Sequence, residues 1–312
     1  MRATSVIFLI LAVILAFIGV VVCGIGASLA EEQGIALFDE VTDANDNLIY
    51  TYNYTGDGIK KIAVEVGECE VNVYGNSETA YIELVNFAQG SYDLSATNLT
   101  LSVVDNSNLL KLFSWGSEGI NFHGFRHYLK ALDFADKPRT INIYITGDSA
   151  VKQFDLTVGT GTLSMQDLRF TFDLTGAVEA GSITLADITT TSDITIKAGQ
   201  GSVSFDTVTS RSLTIEAGTA EVDLDACYTL RGIKIDVAEG DVALDTLRPN
   251  FNGYIVGLQA PEGEIDYFGT KVGDGYVSTD SDDGAYTIAI TAEKGDITVS
   301  NTPAEDEEYM EE

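Results

Sequence analysis

From Phe154 onward, apolar residues fall at every second position in short runs, and each run ends at a turn rich in glycine and small polar residues. A period of two marks strands with one face turned inward. Asp193-Ile-Thr-Ile196 is one such strand, and after a Gly-rich turn Ser202-Val-Ser-Phe205 is the next. A phrase recurs through this region: Gly or Ala, one small or polar residue, then Val, Ile or Leu. It occurs at Gly161-Thr-Leu163, Gly181-Ser-Ile183, Gly201-Ser-Val203, Ala220-Glu-Val222, Gly240-Asp-Val242, Gly263-Glu-Ile265 and Gly295-Asp-Ile297. The first five instances are almost evenly spaced, and the last two intervals are longer. A fixed period of roughly 20 residues is the mark of a stacked repeat. Two strands and two turns per period make a flattened coil. One coil cannot bury its own apolar face, but a stack of coils spaced about 4.8 Å apart can, and it pairs the backbone as well. The predicted class is all-β: a parallel β-solenoid, or flattened β-helix, of about 20 residues per coil. A β-sandwich is the rival, but it does not require such regular spacing.

The pattern begins earlier, in a looser form. Ile62, Val64 and Val66 alternate with polar or small residues, and after Gly67 so do Val71 and Val73. Residues 80–86 and 97–104 read as further strands, and Ile141, Ile143 and Ile145 as another. Residues 105–139 break the alternation. They hold Trp115, Phe122, His123, Phe125, His127 and Tyr128, together with the basic residues Lys111, Arg126, Lys130, Lys137 and Arg139. A short helix is expected over 125–134, and the whole segment is expected to be a cap or insertion in a solenoid domain spanning 59–300.

The two ends differ from this middle. Ser5 to Ala30 carries no charge, and Val6 to Cys23 is almost wholly apolar, which is long enough to span a bilayer as a helix. Arg2 precedes it and Glu31-Glu32 follow, which orients the N-terminus to the cytoplasm. The expectation is an N-terminal transmembrane helix in residues 1–30, a single-pass cell-membrane location and an extracytoplasmic bulk; a signal peptide cut after Ser28-Leu29-Ala30 is the alternative. Residues 31–58 read as a polar, acidic stalk, and residues 301–312 as an acidic tail.

Composition narrows the partners. Lys plus Arg number 17 against 48 Asp plus Glu, a net charge of −31. Such a surface repels nucleic acid. Cys69 and Cys227, far apart in sequence, do not make a disulfide framework and read as small buried thiols.

The stretch Lys60-Lys-Ile-Ala-Val-Glu-Val-Gly-Glu-Cys-Glu-Val-Asn-Val-Tyr74 resembles the opening of DUF4097, a bacterial family of β-strand-repeat proteins with an adhesin label. Gly240-Asp-Val242 and Gly295-Asp-Ile-Thr-Val299 match the family's repeat ending, and Thr140-Ile-Asn-Ile-Tyr-Ile145 resembles the strand that precedes its repeat block. The resemblance covers roughly residues 58–300. It implies a solenoid-like fold at the cell envelope and brings no catalytic residue or ligand.

Candidate chemistry is sparse. The two histidines, with no Gly-x-Ser-x-Gly elbow, do not support a nucleophilic triad. Asp206, Asp225 and Asp245 each fall at the same offset after the repeat Gly or Ala, so stacking would align them in a row that Ca²⁺ could bridge; caps on their own turns are the simpler role. No other cofactor is expected. Thr157, Thr175, Thr195 and Thr214, followed by Lys234, read as one outward row. The binding patch expected is Trp115, Phe122, Phe125, Arg126, Tyr128 and Lys130, which could meet a cell-envelope glycan or protein ligand. The function expected is non-enzymatic: an adhesin-like envelope surface. An envelope scaffold or stress-response component is one alternative. A carbohydrate-active β-helix enzyme with clustered acids near residues 271–285 is the other.

Overall fold

The computed structural model describes residues 47–53, 59–87, 92–97, 100–105, 114–116, 119–121, 137–147, 151–246, 254–278 and 286–300. The chain divides into two units, Met1–Asp46 and Asn47–Glu312, and all of these residues belong to the second. The apolar N-terminal segment, the acidic tail and the helix expected over 125–134 lie outside the described residues. Among the described residues, no helix is long and apolar enough to cross a membrane.

The described residues are all-β, with seventeen strands in one largely parallel sheet and two in a separate hairpin. Lys61–Ser77 pairs in parallel with Gln153–Gln166, placing Ile62 opposite Phe154 and Val71 opposite Leu163. Gln153–Gln166 pairs next with Leu174–Thr190, and that strand with the first part of Asp193–Glu239. Gly161, Gly181 and Gly201 therefore fall in one column, one to each coil. The next coil is shorter by a single residue, and the Arg211 N–H donates to the Ser192 carbonyl at 2.9 Å. The predicted repeat is thus a physical stack of coils. Alternate residues such as Ile183, Val203, Ile215 and Leu244 are buried in the single core between the two flattened sides.

At both ends, the order of coils in space departs from the order in sequence. Thr100–Asp105 and Thr140–Thr146 pair with Lys61–Ser77 on the side away from Gln153–Gln166, so the first coil of the repeat is not the outermost one. At the other end, Tyr286–Ala292 and Ile297–Ser300 insert between residues 232–246 and the coil made by Tyr254–Gln259 and Ile265–Tyr267. The two longest intervals of the repeat phrase, from Gly240 to Gly263 and from Gly263 to Gly295, mark this exchange.

Antiparallel strands lie over both outer coils. Tyr92–Thr97 pairs with Thr100–Asp105, Tyr81–Val85 with Thr140–Thr146, and Ile49–Asn53 with Tyr81–Val85. The last of these falls within residues 31–58, where the sequence suggested a stalk. Buried Asn86 ties this end together: its Oδ1 accepts from the Leu48 N–H at 3.1 Å, and its Nδ2 donates to the Pro138 carbonyl at 2.8 Å. At the opposite end, Tyr276–Val277 and Thr270–Val272 cover the outer coil, and Asp274 Oδ1 accepts from the Ala260 N–H at 2.8 Å.

Two devices hold the turns in register. The first is the glycine column. Gly181 and Gly201 have φ of 141° and 125°, and a β-carbon on either would lie 1.8 Å from the carbonyl oxygen of the glycine below. No side chain fits there. Ala220 occupies the column without a positive φ, at the one step where the coil is shortened. The second device explains the Gly-Asp phrase. Asp241 Oδ1 accepts from the Asp296 N–H, and Asp296 Oδ1 from the Glu264 N–H, each at 2.8 Å. Each aspartate satisfies a backbone donor of the next coil in space rather than in sequence.

Gly201→Ala should cost about 3 kcal/mol or more, because strain and a backbone clash coincide. The same-sized change Ala220→Gly should cost only about 1 kcal/mol. Urea melts of the two variants check the contrast; equal losses would overturn it. Asp296→Ala should cost about 1–2 kcal/mol, and Asp296→Asn, which keeps an acceptor, should recover most of that.

Candidate functional site

The two halves of an apolar-Asn-apolar-Tyr phrase, Val71-Asn-Val-Tyr74 and Ile141-Asn-Ile-Tyr144, meet side by side in parallel register. Alternation points Val71, Val73, Ile141 and Ile143 into the core, so both Asn and both Tyr stand on the outer face. Tyr81–Val85 then runs antiparallel along Thr140–Thr146, placing Tyr81 against Tyr144 and Glu83 against Asn142. The result is two adjacent columns on one flat surface.

The first column is aromatic. The Tyr74 and Tyr144 rings stack at 5.2 Å between centroids, and Tyr81 and Tyr144 at 4.2 Å. Burial between its neighbours, then the fields of Tyr81 and Glu83, pushes the Tyr144 phenol up to about 12, so it remains a neutral donor at any physiological pH. The second column is a hydrogen-bonded relay. Asn72 Nδ2 donates to Asn142 Oδ1 at 3.1 Å, and Asn142 Nδ2 donates to Glu83 Oε2 at 3.0 Å. This leaves amide and phenol donors and acceptors directed at solvent beside ring edges, all held by strand pairing rather than by loops.

The same face changes character along the stack. Tyr74 pairs with Gln166, Gln166 with Ala186, and Ala186 with Asp206. Asp245 pairs further on with Ser300. Of the aspartates expected as a row, Asp206 therefore continues the tyrosine column, whereas the register shifts between Leu224 and Cys227, where Asp225 falls. Asp225, Asp206 and Asp223 all raise the Cys227 thiol, which burial chiefly pushes up to about 12. Among the described residues, however, no three His, Cys, Asp or Glu side chains are grouped to hold a metal ion. The threonine row needs correcting. Thr175 pairs with Asp155 and Thr195, whereas Thr157 pairs with Ala177, so Thr157 belongs to the next column.

Of the expected binding patch, Trp115 lies in the hairpin of Ser114–Gly116 and Gly119–Asn121, opposite Ile120. Phe122, Phe125, Arg126, Tyr128 and Lys130 lie outside the described residues, as do both histidines. That segment leaves the stack between the two halves of the outermost coil, after Asp105 and before Thr140. Near Lys271, Glu264 takes the lysine as an ion-pair partner and Asp274 caps a backbone N–H. Cys69 and Cys227 are buried and not joined in a disulfide. The Tyr and Asn columns escaped the sequence reading because their members lie far apart along the chain; the twin phrase was the available signal.

No curated protein matches the chain. Among solved structures, a candidate adhesin from Bacteroides fragilis is similar at 13% identity, covering 84% of this chain and 100% of that one, with a TM-score of 0.43. A candidate lipid-binding protein from Parabacteroides distasonis is similar at 12% identity, with coverages of 83% and 98% and a TM-score of 0.39. A candidate cell adhesion protein from Clostridium sporogenes is 12% identical, with coverages of 81% and 99% and a TM-score of 0.28. At such identities and TM-scores, nothing of their function transfers. The Toastrack DUF4097 family model, in contrast, matches residues 59–309, which takes in the described coils from Ile59 to Ser300, and the chain belongs to that family.

Proposed function

We propose that this chain is a non-catalytic, adhesin-like binding protein, held at the membrane by its apolar N-terminal segment, whose outer face meets a cell-envelope glycan. The observation that carries the reading is the pair of columns at Tyr74–Tyr144–Tyr81 and Asn72–Asn142–Glu83. Tyrosines supply rigid contact area at small entropic cost, and an amide-carboxylate relay is the donor and acceptor set that sugar hydroxyls need. A flat, strand-built surface suits an extended chain better than a deep pocket would. The net charge of −31 favours a neutral partner over an anionic one. The aromatic segment 105–139 departs from the same end and is proposed as a second contact region.

Growth into an envelope scaffold by end-to-end stacking is less well supported. Short antiparallel strands lie over both outer coils, which is how sheet proteins blunt edges against self-association.

The unit Asn47–Glu312 contains every described strand together with its pairing partners, so it serves as the test protein. On a glycan array it should retain at least one envelope-type polysaccharide and release no product from it. Tyr81→Ala and Asn72→Ala should each weaken retention about tenfold, roughly the effect of losing one well-placed contact, with melting temperature nearly unchanged. Retention indifferent to both substitutions would move the site off this face, and turnover of the bound glycan would replace the reading with an enzymatic one.

A further inference from the structure

A second site opens at the corner of the stack, on residues the glycan-facing columns do not use. The turns on this side build a buried polar column: Thr190, Ser210 and Thr229 follow one another at the same corner. Phe170 pairs with Thr190 and so begins that column. Among the described residues, no strand partner is registered with Phe170 on the side away from Thr190. Register between Lys61–Ser77 and Gln153–Gln166 ends at Tyr74 opposite Gln166, after which the lower chain turns through Gly75 and Asn76 toward Tyr81–Val85. The missing corner leaves a cleft of about 540 Å³, within the size range of small-molecule pockets, roughly 300–1,000 Å³.

Its walls are apolar. Ile145, Val151, Leu168 and Phe170 are buried, and Phe172 is half-buried. The Phe170 and Phe172 rings stack on each other at 4.8 Å, and Phe154 packs edge-on to Phe170 at 6.1 Å. With those ring faces already occupied by each other, the wall offers edges and aliphatic surface, which a flexible chain fills better than a flat ring. The rim is polar. Lys152 and Arg169 both line the cleft, both are exposed, and neither is paired with a carboxylate of the described residues. Asp167 also lines it, and its carboxylate accepts from Gln166 Nε2 at 3.0 Å. Among the described lining residues, two cations stand against one carboxylate, on a chain whose total is −31. A local reversal of sign over an apolar cleft is complementary to a monoanion carrying a hydrocarbon tail.

We propose that this cleft binds a fatty-acid carboxylate, with the acyl chain along Val151, Phe170 and Phe172 and the head between Lys152 and Arg169. The test is calorimetric titration of the unit Asn47–Glu312 with dodecanoate below its micellar concentration, alongside acetate and dodecyltrimethylammonium. One dodecanoate should bind per chain, and neither comparator should. Lys152→Glu combined with Arg169→Glu should weaken dodecanoate at least tenfold at an unchanged melting temperature, because both side chains are exposed and unpaired. Thr171→Trp, at an exposed position on the cleft wall, should block uptake independently of charge. The proposal fails if dodecanoate does not bind, if the cationic amphiphile binds equally well, or if neither the charge reversal nor the tryptophan alters uptake. Loss of this site would leave glycan retention intact, since no residue of the Tyr and Asn columns lines the cleft.

Discussion

A β-carbon at Gly181 would lie 1.8 Å from the carbonyl oxygen of Gly161, and one at Gly240 would lie 2.1 Å from that of Ala220. Neighbouring coils approach at this corner until only a hydrogen fits between them. That approach fixes much else. It sets the turn at a positive φ, which places the following residue on the outer face and the one after it in the core. It also brings the backbone of each coil into hydrogen-bonding range of the next, so the apolar column at Leu163, Ile183 and Val203 closes without gaps. Apolar burial supplies most of the stabilisation, at about 1.5–3 kcal/mol for each large side chain. The glycine corner decides which register that burial takes.

Local pattern made much of this legible. Alternation with a period of two marked the inward positions, and a phrase recurring once per coil marked the stack, because both are written within a few residues of each coil. The order of coils at the ends was not legible. Whether residues 286–300 follow or precede residues 254–267 in space depends on which backbone edge each finds free, and both carry the same Gly-x-Ile phrase. The Tyr144 contacts were hidden for the same reason: Tyr74 and Tyr81 reach it from opposite sides, one parallel and one antiparallel. Thr157 shows the cost of a small slip. Counting back from each repeat glycine puts Asp155, not Thr157, beside Thr175, and a slip from one to the other keeps the face but changes the column.

The exchanged coils have a physical consequence. Because the first and last coils of the repeat sit inside the stack, the chain must leave and re-enter at each end, and the returning segments become the antiparallel covers. A solenoid in strict sequence order would expose a full parallel edge at both ends and would need separate capping segments. Here the covers are by-products of the threading. The two sites also arise at the end where the chain first doubles back. Tyr81–Val85 supplies Tyr81 and Glu83 to one face, and with its departure from the first coil no described strand is registered beneath Phe170.

Charge then separates the two ends of the outer face. Along one column, tyrosine gives way to glutamine and alanine and then to aspartate, with the parallel register kept at each step. A ligand of uniform chemistry cannot bind all of it equally. On the proposed reading, an extended neutral polymer would gain ring and amide contacts at the Tyr144 end and meet only hydrated carboxylates at the Asp206 end, where the desolvation of each charge opposes contact. The repeat therefore provides a rigid ruler, and side chains distant in sequence are forced together where it is interrupted, at the doubled-back strand and at the corner beside Phe170, which is why both proposed sites fall there.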